Sequence, residues 1–334
     1  MREPEKRRHG GKGGPGAIVP QGARDHGGGL DAAVARFGGA RADWIDLSTG
    51  INPVPYPLPD LAPGDWTALP DAGARRALCD AARAFWKVPD GAEVLPAPGA
   101  SALIARLPAL APPARVRILP PTYNEHAAAF AAHGWQVVDT AQAPAEAAVL
   151  VHPNNPDGRV WTEADAAAAR FCVIDESFCD VMPAASLVAQ AAQPGRVVLK
   201  SFGKFWGLAG LRLGFAIATP DTLAPLAAMI GPWAVSGPAL RIGAAALGDA
   251  GWAARTRARL AADRARLDRL MQAAGAEIAG GTDLFGLYRV ADAAAWQERL
   301  ARARIWTRVF PYSPRLIRLG LPGPAGWDRL AAAL

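Results

Sequence analysis

Between residues 93 and 218 short apolar runs alternate with alanine-rich amphipathic stretches, and few folds accommodate that alternation. Runs at 93–97, 115–119, 135–139, 147–151, 170–175, 196–200 and 212–218 have the length of strands. Segments between them, such as 101–110 and 124–133, have helical spacing. Strands separated by helices imply a parallel sheet covered on both faces. The predicted class is α/β, with a mostly parallel central sheet. Ligands in such sheets collect beyond the carboxyl ends of the strands, so the residues after each run are the candidates for function.

The pattern changes after Pro220. Residues 238–274 read as one long Ala/Arg/Leu helix with a bend near Gly248 and Gly251, and "DLFGLYRV" (283–290) and "RLIRLGL" (315–321) read as strands of a smaller α+β lobe. A chain of 334 residues, half of them hydrophobic, is long enough for two such lobes.

Charge and cysteine content narrow the classes of partner. The net charge of +6 is concentrated at the start: residues 1–24 carry six basic groups against Glu3 and Glu5, leaving only +2 for the rest. A basic, glycine-rich terminus reads as a tail, and no helix-turn-helix or zinc-finger pattern points to nucleic acid. No uncharged apolar stretch reaches eighteen residues, so no membrane span is expected. Cys79, Cys172 and Cys179 form no CxxC pair and no disulfide framework, which suits a cytoplasmic protein.

Five segments at strand ends carry chemistry. "PGAS" (98–101) opens a helix, where main-chain N–H groups of Ala100 and Ser101 can cradle an anion. "PTYNEH" puts Tyr123 just past a strand, "VHPNNPDGRV" (151–160) follows another, and "CVIDES" ends an apolar run in Asp175 and Glu176. Alone, each has an ordinary reading as a turn, a cap, a packing residue or a solvated strand end. The fifth, "LKSFGKFWGLAGLRLGF" (199–215), sets Lys204 among Phe202, Phe205 and Trp206, with Arg212 eight residues on. A lysine buried there is costly unless it is neutralised or paired.

In this order and spacing, "NNPDG", "DES" and "SFGKFWGLAGLRLGF" resemble three signature blocks of the fold-type I enzymes of the aminotransferase superfamily, which use pyridoxal 5′-phosphate (PLP). The resemblance covers roughly residues 26–321. It implies that Lys204 is held as an imine with PLP, which removes the isolated ammonium while the flanking aromatics exclude water. It further implies that Asp175 pairs with the pyridinium nitrogen, Asn155 donates to the phenolic oxygen, and Tyr123 stacks on the ring. Ala100, Ser101, Ser201 and Arg212 would hold the phosphate, and Arg318 in "LIRLGLP" would grip a substrate carboxylate in a bidentate fork. Members of this type build their sites at a subunit interface, so a homodimer is expected. Two positions depart from the commonest pattern: Phe178 replaces a tyrosine that supplements the phenolic-oxygen contact, and Leu69 a tyrosine that reaches the partner's cofactor phosphate.

The N-terminal segment is more discriminating. "DHGGGLDAAVARFG" followed by "WIDLSTGINPVPYP" (44–57) resembles the threonine-phosphate decarboxylases of cobalamin biosynthesis, near relatives of histidinol-phosphate aminotransferases. A second HGG at His9 lacks the right spacing to 48–53, so His26 is the candidate. The resemblance implies that His26 meets the substrate phosphate and that Asn52 lines the substrate pocket, against plainer readings as a tail residue and a turn residue. The expected division is a basic tail at 1–25, an arm over the site at 26–45, a PLP-binding domain at 46–220 and a small domain at 221–334.

With PLP the bond that breaks at Cα is the one held perpendicular to the ring. A perpendicular carboxylate leaves as carbon dioxide; a perpendicular hydrogen leads to transamination. The leading expectation is decarboxylation of L-threonine O-3-phosphate, a small phosphorylated amino acid. Two alternatives stay open on sequence: an aminotransferase, and a catalytically silent PLP-fold binding protein.

Overall fold

The computed structural model describes residues 26–334, so the tail expected at 1–25 and the HGG at His9 lie outside the described residues. The described chain opens with α1 (Leu30–Phe37), β1 (Ile45–Asp46), α2 (Pro63–Thr67), α3 (Ala72–Trp86) and β2 (Glu93–Ala97). Next come α4 (Ala100–Ile104), β3 (Arg115–Arg117), α5 (Asn124–Ala132), β4 (Gln136–Val138) and β5 (Ala147–Val151). They are followed by α6 (Glu163–Ala167), β6 (Phe171–Asp175), β7 (Arg196–Ser201) and β8 (Gly214–Ala218). All seven runs expected to form strands between 93 and 218 do so.

These seven strands form one sheet in the order β2-β8-β7-β6-β5-β3-β4. Strands β3 to β7 run parallel, whereas β8 is antiparallel to both β2 and β7. This is the mostly parallel sheet expected from the alternation, and the antiparallel strand has a local cause. Residues 202–213 join β7 to β8 without a crossover helix, and a connection of that kind returns the strand beside its predecessor in the opposite sense. Lys204 sits in this loop.

Every residue of β5 and β6 is buried, as a sheet covered on both faces requires. Alternate residues serve two apolar layers. Val149, Val173 and Leu199 pack with Leu103, Phe130 and Trp135, while Leu150, Ile174 and Val198 pack on the opposite face with Leu78 and Leu240.

The chain continues with α7 (Pro220–Ile230), α8 (Gly237–Gly248), α9 (Ala250–Ala273), β9 (Glu277–Thr282) and β10 (Phe285–Arg289). It ends with α10 (Ala293–Arg302), β11 (Ile305–Trp306), β12 (Arg308–Phe310), β13 (Ser313–Gly320) and α11 (Trp327–Ala333). The helix expected to bend near Gly248 breaks at Asp249, whose carboxylate caps α9 by accepting from the Trp252 N–H at 2.8 Å. An antiparallel sheet, β12-β13-β10-β9, forms the C-terminal unit. Helix α7 lies against β2 and β8, and α8 against α3, so both join the large sheet's layers.

The N-terminal segment belongs spatially to the C-terminal unit. Strand β1 pairs in parallel with β11, and Leu30, Ala33 and Trp44 form an apolar cluster with Ala301 and the flank of Trp306. No helix among the described residues is long and apolar enough to cross a membrane.

Candidate active site

The carboxyl ends of the parallel strands converge on one cavity. Strand β6 delivers Asp175, β7 Ser201, the β7–β8 loop Lys204 and Arg212, and the turn after β5 Asn155. With Ala100, Ser101 and Tyr123, all eight residues expected to hold a cofactor line this cavity. It adjoins an outer cavity of about 590 Å³ bordered by His26, Thr49, Arg308 and Arg318, and Tyr123, Asn155, Phe178 and Lys204 face both.

Lys204 is the amine that lines the inner cavity. Burial, helped by the nearby Arg318 and Arg212 charges and opposed by Asp175, lowers its pKa to about 8. A neutral amine is therefore accessible close to neutral pH. The ring facing Nζ is Phe178, with its centroid 5.1 Å away. Phe202 and Trp206 instead fill the core behind the loop: Phe202 stacks on Trp206 at 5.1 Å, and Trp206 on Trp252 of α9 at 5.3 Å.

Asp175 is buried yet ionised. Burial alone pushes its pKa up, but His126 and Ser177 more than offset this, and the pKa lies below the usual carboxylate value. Oδ1 accepts from the Ser177 N–H at 3.0 Å and its hydroxyl at 2.6 Å, and His126 Nε2 lies 2.8 Å from Oδ2. An ionised carboxylate only accepts, so Nε2 carries the imidazole proton in this pairing. Sequence reasoning missed His126. The available signal was its place three residues after Tyr123, on the first turn of α5.

The turn carrying Asn155 is braced from the C-terminal unit. Asn154 Nδ2 donates to Asp157 Oδ1 at 2.7 Å, and Gly281 N of β9 donates to the Asp157 carbonyl at 2.9 Å. Gly158 adopts φ +76°, and a Cβ there would stand 1.9 Å from the Gly281 oxygen. That contact explains the glycine of "NNPDG". Asn155 Oδ1 in turn accepts from Arg318 Nη1.

Arg318, on β13, is buried and also donates from Nη2 to the Ser48 carbonyl at 2.6 Å. Ser48 is the anchor of the N-terminal arm: its hydroxyl accepts from Gly28 N at 2.7 Å, while Trp306 Nε1 donates to Gly28 O at 3.0 Å. This docking sets His26 at the cavity mouth, 2.8 Å from Glu125 Oε1 and with its ring 6.1 Å from that of Tyr123. Arg308 was also missed. It pairs with Arg318 across the β12–β13 register and lines the same cavity.

Asn52 departs from expectation. It was expected to line the substrate pocket, but it is buried behind the Lys204 loop and its amide is engaged there. Nδ2 donates to Phe205 O at 2.8 Å, and Oδ1 accepts from Val54 N at 3.0 Å and Arg259 Nη2 at 2.6 Å. A group with those partners faces the loop and not the cavity.

The model of the class I and II aminotransferase family matches residues 42–334. The chain belongs to this family. Among similar proteins, a threonine-phosphate decarboxylase from Sinorhizobium sp is 45% identical over 326 residues, covering 92% of this chain and 97% of its own. Another from Pseudomonas aeruginosa is 41% identical over 329 residues, covering 93% and 97%. A histidinol-phosphate aminotransferase from Sinorhizobium meliloti, solved in complex with pyridoxal-5′-phosphate, superposes with a TM-score of 0.77 over 92% of this chain and 93% of its own. At 22% identity that likeness speaks for the fold.

Within this aminotransferase-family cavity, Phe178 packs edge-on against Phe285 at 5.1 Å and offers no hydroxyl, while Leu69 is 68% exposed. Behind Asp175, Glu176 turns away from the cavity. It accepts from the Ser186 hydroxyl at 2.7 Å and Leu187 N at 2.5 Å, and pairs with buried Lys200 at 2.5 Å. His152, Glu176 and Cys179 come together there, but both ring nitrogens of His152 are engaged: Nε2 with Ala185 O at 2.6 Å and Nδ1 with Trp161 N at 3.0 Å. The cluster is scaffold.

Proposed function

We propose that the protein is a PLP-dependent lyase that decarboxylates L-threonine O-3-phosphate to (R)-1-amino-2-propanol O-2-phosphate, serving cobalamin biosynthesis in the cytoplasm. The observation that carries this reading is the identity of 45% and 41%, over nearly the whole chain, to two proteins named threonine-phosphate decarboxylase. The cavity's donor set fits the cofactor. A buried amine with a pKa of about 8 and a buried ionised carboxylate share it with Arg212, Ser101 and Ser201.

When bound, PLP supplies an electron sink for the pair left by a bond breaking at Cα. The chain's own residues bind, orient and exchange protons. Lys204 Nζ would attach the cofactor, Asp175 would hold a proton on the pyridinium nitrogen, and Tyr123 would cover the ring. Arg212, Ser101, Ser201 and the main-chain N–H groups of Ala100 and Ser101 would hold its phosphate, with Arg212 supplying the positive charge. The substrate brings two anionic groups, and besides Lys204 the outer cavity offers three cationic or ionisable partners. Arg318 takes the carboxylate, and Arg308 and His26 flank the side-chain phosphate. Lys204, still partly an ammonium near pH 8, would deliver from that form the proton that replaces carbon dioxide on Cα. Leu58, Trp66, Leu69 and Trp233, each more than 60% exposed, supply apolar surface for a homodimer.

The test is reaction choice. Given threonine phosphate and no keto acid, the reconstituted protein is expected to release carbon dioxide while the cofactor stays in its aldehyde form. Conversion of the cofactor to pyridoxamine phosphate without carbon dioxide would overturn the reading in favour of transamination.

A further inference from the structure

The segment around Asn52 and the Lys204 loop are zipped together by main-chain bonds. Asn52 N donates to Lys204 O at 3.0 Å and Tyr56 N to Trp206 O at 2.9 Å. Within the loop, Gly207 N donates to the same Lys204 carbonyl at 3.1 Å. The approach is close: Gly207 has φ +70°, and a Cβ on it would lie 2.7 Å from Pro55 Cα and 2.8 Å from Asn52 O. The Asn52 amide adds the bond to Phe205 O, so one residue holds the carbonyls of both 204 and 205.

Helix α9 closes this arrangement from behind. Trp252 stacks on Trp206 and meets Phe205 and Tyr56 edge-on at 5.6 and 5.2 Å. Two turns along the same helix, Arg259 donates to Asn52 Oδ1 at 2.6 Å and is held on its other arm by Asp263 at 3.1 Å. An amide whose oxygen is fixed by a guanidinium cannot flip without losing a charge-assisted bond, so its nitrogen stays aimed at the loop.

We infer that Asn52 is a positioning residue for Lys204, fixing the main chain that carries the amine, and that Arg259 orients Asn52 from α9. The inference rests on the reading that Lys204 carries the cofactor. Its physical basis is lever length: Nζ stands at the end of a four-carbon stem, and a small rotation of the loop at Cα displaces the amine relative to Asp175 and Arg318. On that reading the amine would have to leave the cofactor and return to it in each turnover, and an anchored main chain would let Nζ return to the same place.

The experiment compares wild type with Asn52→Asp, Arg259→Gln and Arg259→Lys. Asn52→Asp keeps the oxygen for Arg259 but sets a second oxygen against Phe205 O, while Arg259→Lys retains a charged donor. Borohydride reduction and peptide mapping first identify the lysine bearing the cofactor. Hydrogen exchange of the amides at 52 and 207 in the cofactor-free protein, and the pH midpoint of the visible band after reconstitution, are then measured. Asn52→Asp and Arg259→Gln are expected to accelerate exchange about tenfold, the loss of one charge-assisted bond, and to shift the band's midpoint; Arg259→Lys is expected to restore both. Wild-type exchange and an unmoved midpoint in Arg259→Gln would overturn the inference, even if Asn52→Asp fails to fold. An adduct on a lysine other than Lys204 in wild type would overturn the underlying reading instead.

Discussion

At the scale of residues, burial and neighbouring charge set the two ionisable groups on which the proposed chemistry rests. The Lys204 amine is pushed down to about 8, and the Asp175 carboxylate stays charged. For Lys204 the sign of the pH dependence follows. Below about pH 8 the folded chain bears the cost of a buried ammonium; between about 8 and the ordinary value of 10.5 the unfolded chain holds more protons. The cofactor-free protein is therefore expected to gain stability across that window, as read by denaturant titration at several pH values. Modification of Lys204 by an amine reagent should show a midpoint near 8 that rises in Arg318→Gln, because one lowering charge is gone. An unchanged midpoint would remove Arg318 from the account. If Asp175 is the proposed counter-ion of the pyridinium nitrogen, Asp175→Asn is expected to leave the melting temperature near that of wild type while turnover falls by about two orders of magnitude or more. Near-normal turnover would reduce Asp175 to a structural role.

Elements reach the site through a few close contacts between units. The Asn155 turn and β9 meet main chain to main chain at Gly158 and Gly281. Gly158→Ala is expected to cost about 1–2 kcal/mol for its left-handed conformation alone, with more for the contact, and to weaken cofactor binding by displacing Asn155. Chemical denaturation and fluorescence titration with PLP measure the two effects separately. On the other side of β6, the buried Lys200–Glu176 pair ties β7 to the segment after Asp175. Lys200→Met is expected to destabilise by about 3–5 kcal/mol, because Glu176 is left charged and buried, and adding Glu176→Gln should recover much of that loss. Additive losses in the double variant would mean that the two side chains act independently.

For the molecule as a whole, association is the open quantity with a direct physical handle. Trp66 and Trp233, together with Leu58 and Leu69, leave apolar surface in water, and covering it with a second copy removes that cost. Sedimentation at micromolar concentration is expected to give a dimer, and Trp66→Asp combined with Leu69→Asp to give monomer. A fully active wild-type monomer would refute a shared site. The N-terminal arm belongs to the same scale, since α1 and Trp44 rest on the C-terminal unit while His26 reaches Glu125 of the large sheet's layers.

Much of this was legible in the sequence, because the signals were local. Alternation with period two or 3.6 depends on neighbours a few residues apart, so the seven strands could be read directly, while Gly248 and Gly251 signalled only a bend where the helix breaks. The order of "PGAS", "NNPDG", "DES" and "SFGK" likewise marked the residues that meet in the inner cavity, since strand ends of one parallel sheet converge. Other features required the tertiary structure. Strand β8 runs antiparallel because a loop replaces the crossover helix. His126 gains meaning from Asp175, 49 residues away, and Arg308 from the strand beside it. Asn52 had the composition of a pocket residue, and its amide had several possible partners. The partner was decided by Arg259, 207 residues later, because hydrogen-bond allocation follows from which elements packing brings together, and spacing along the chain carries no record of that.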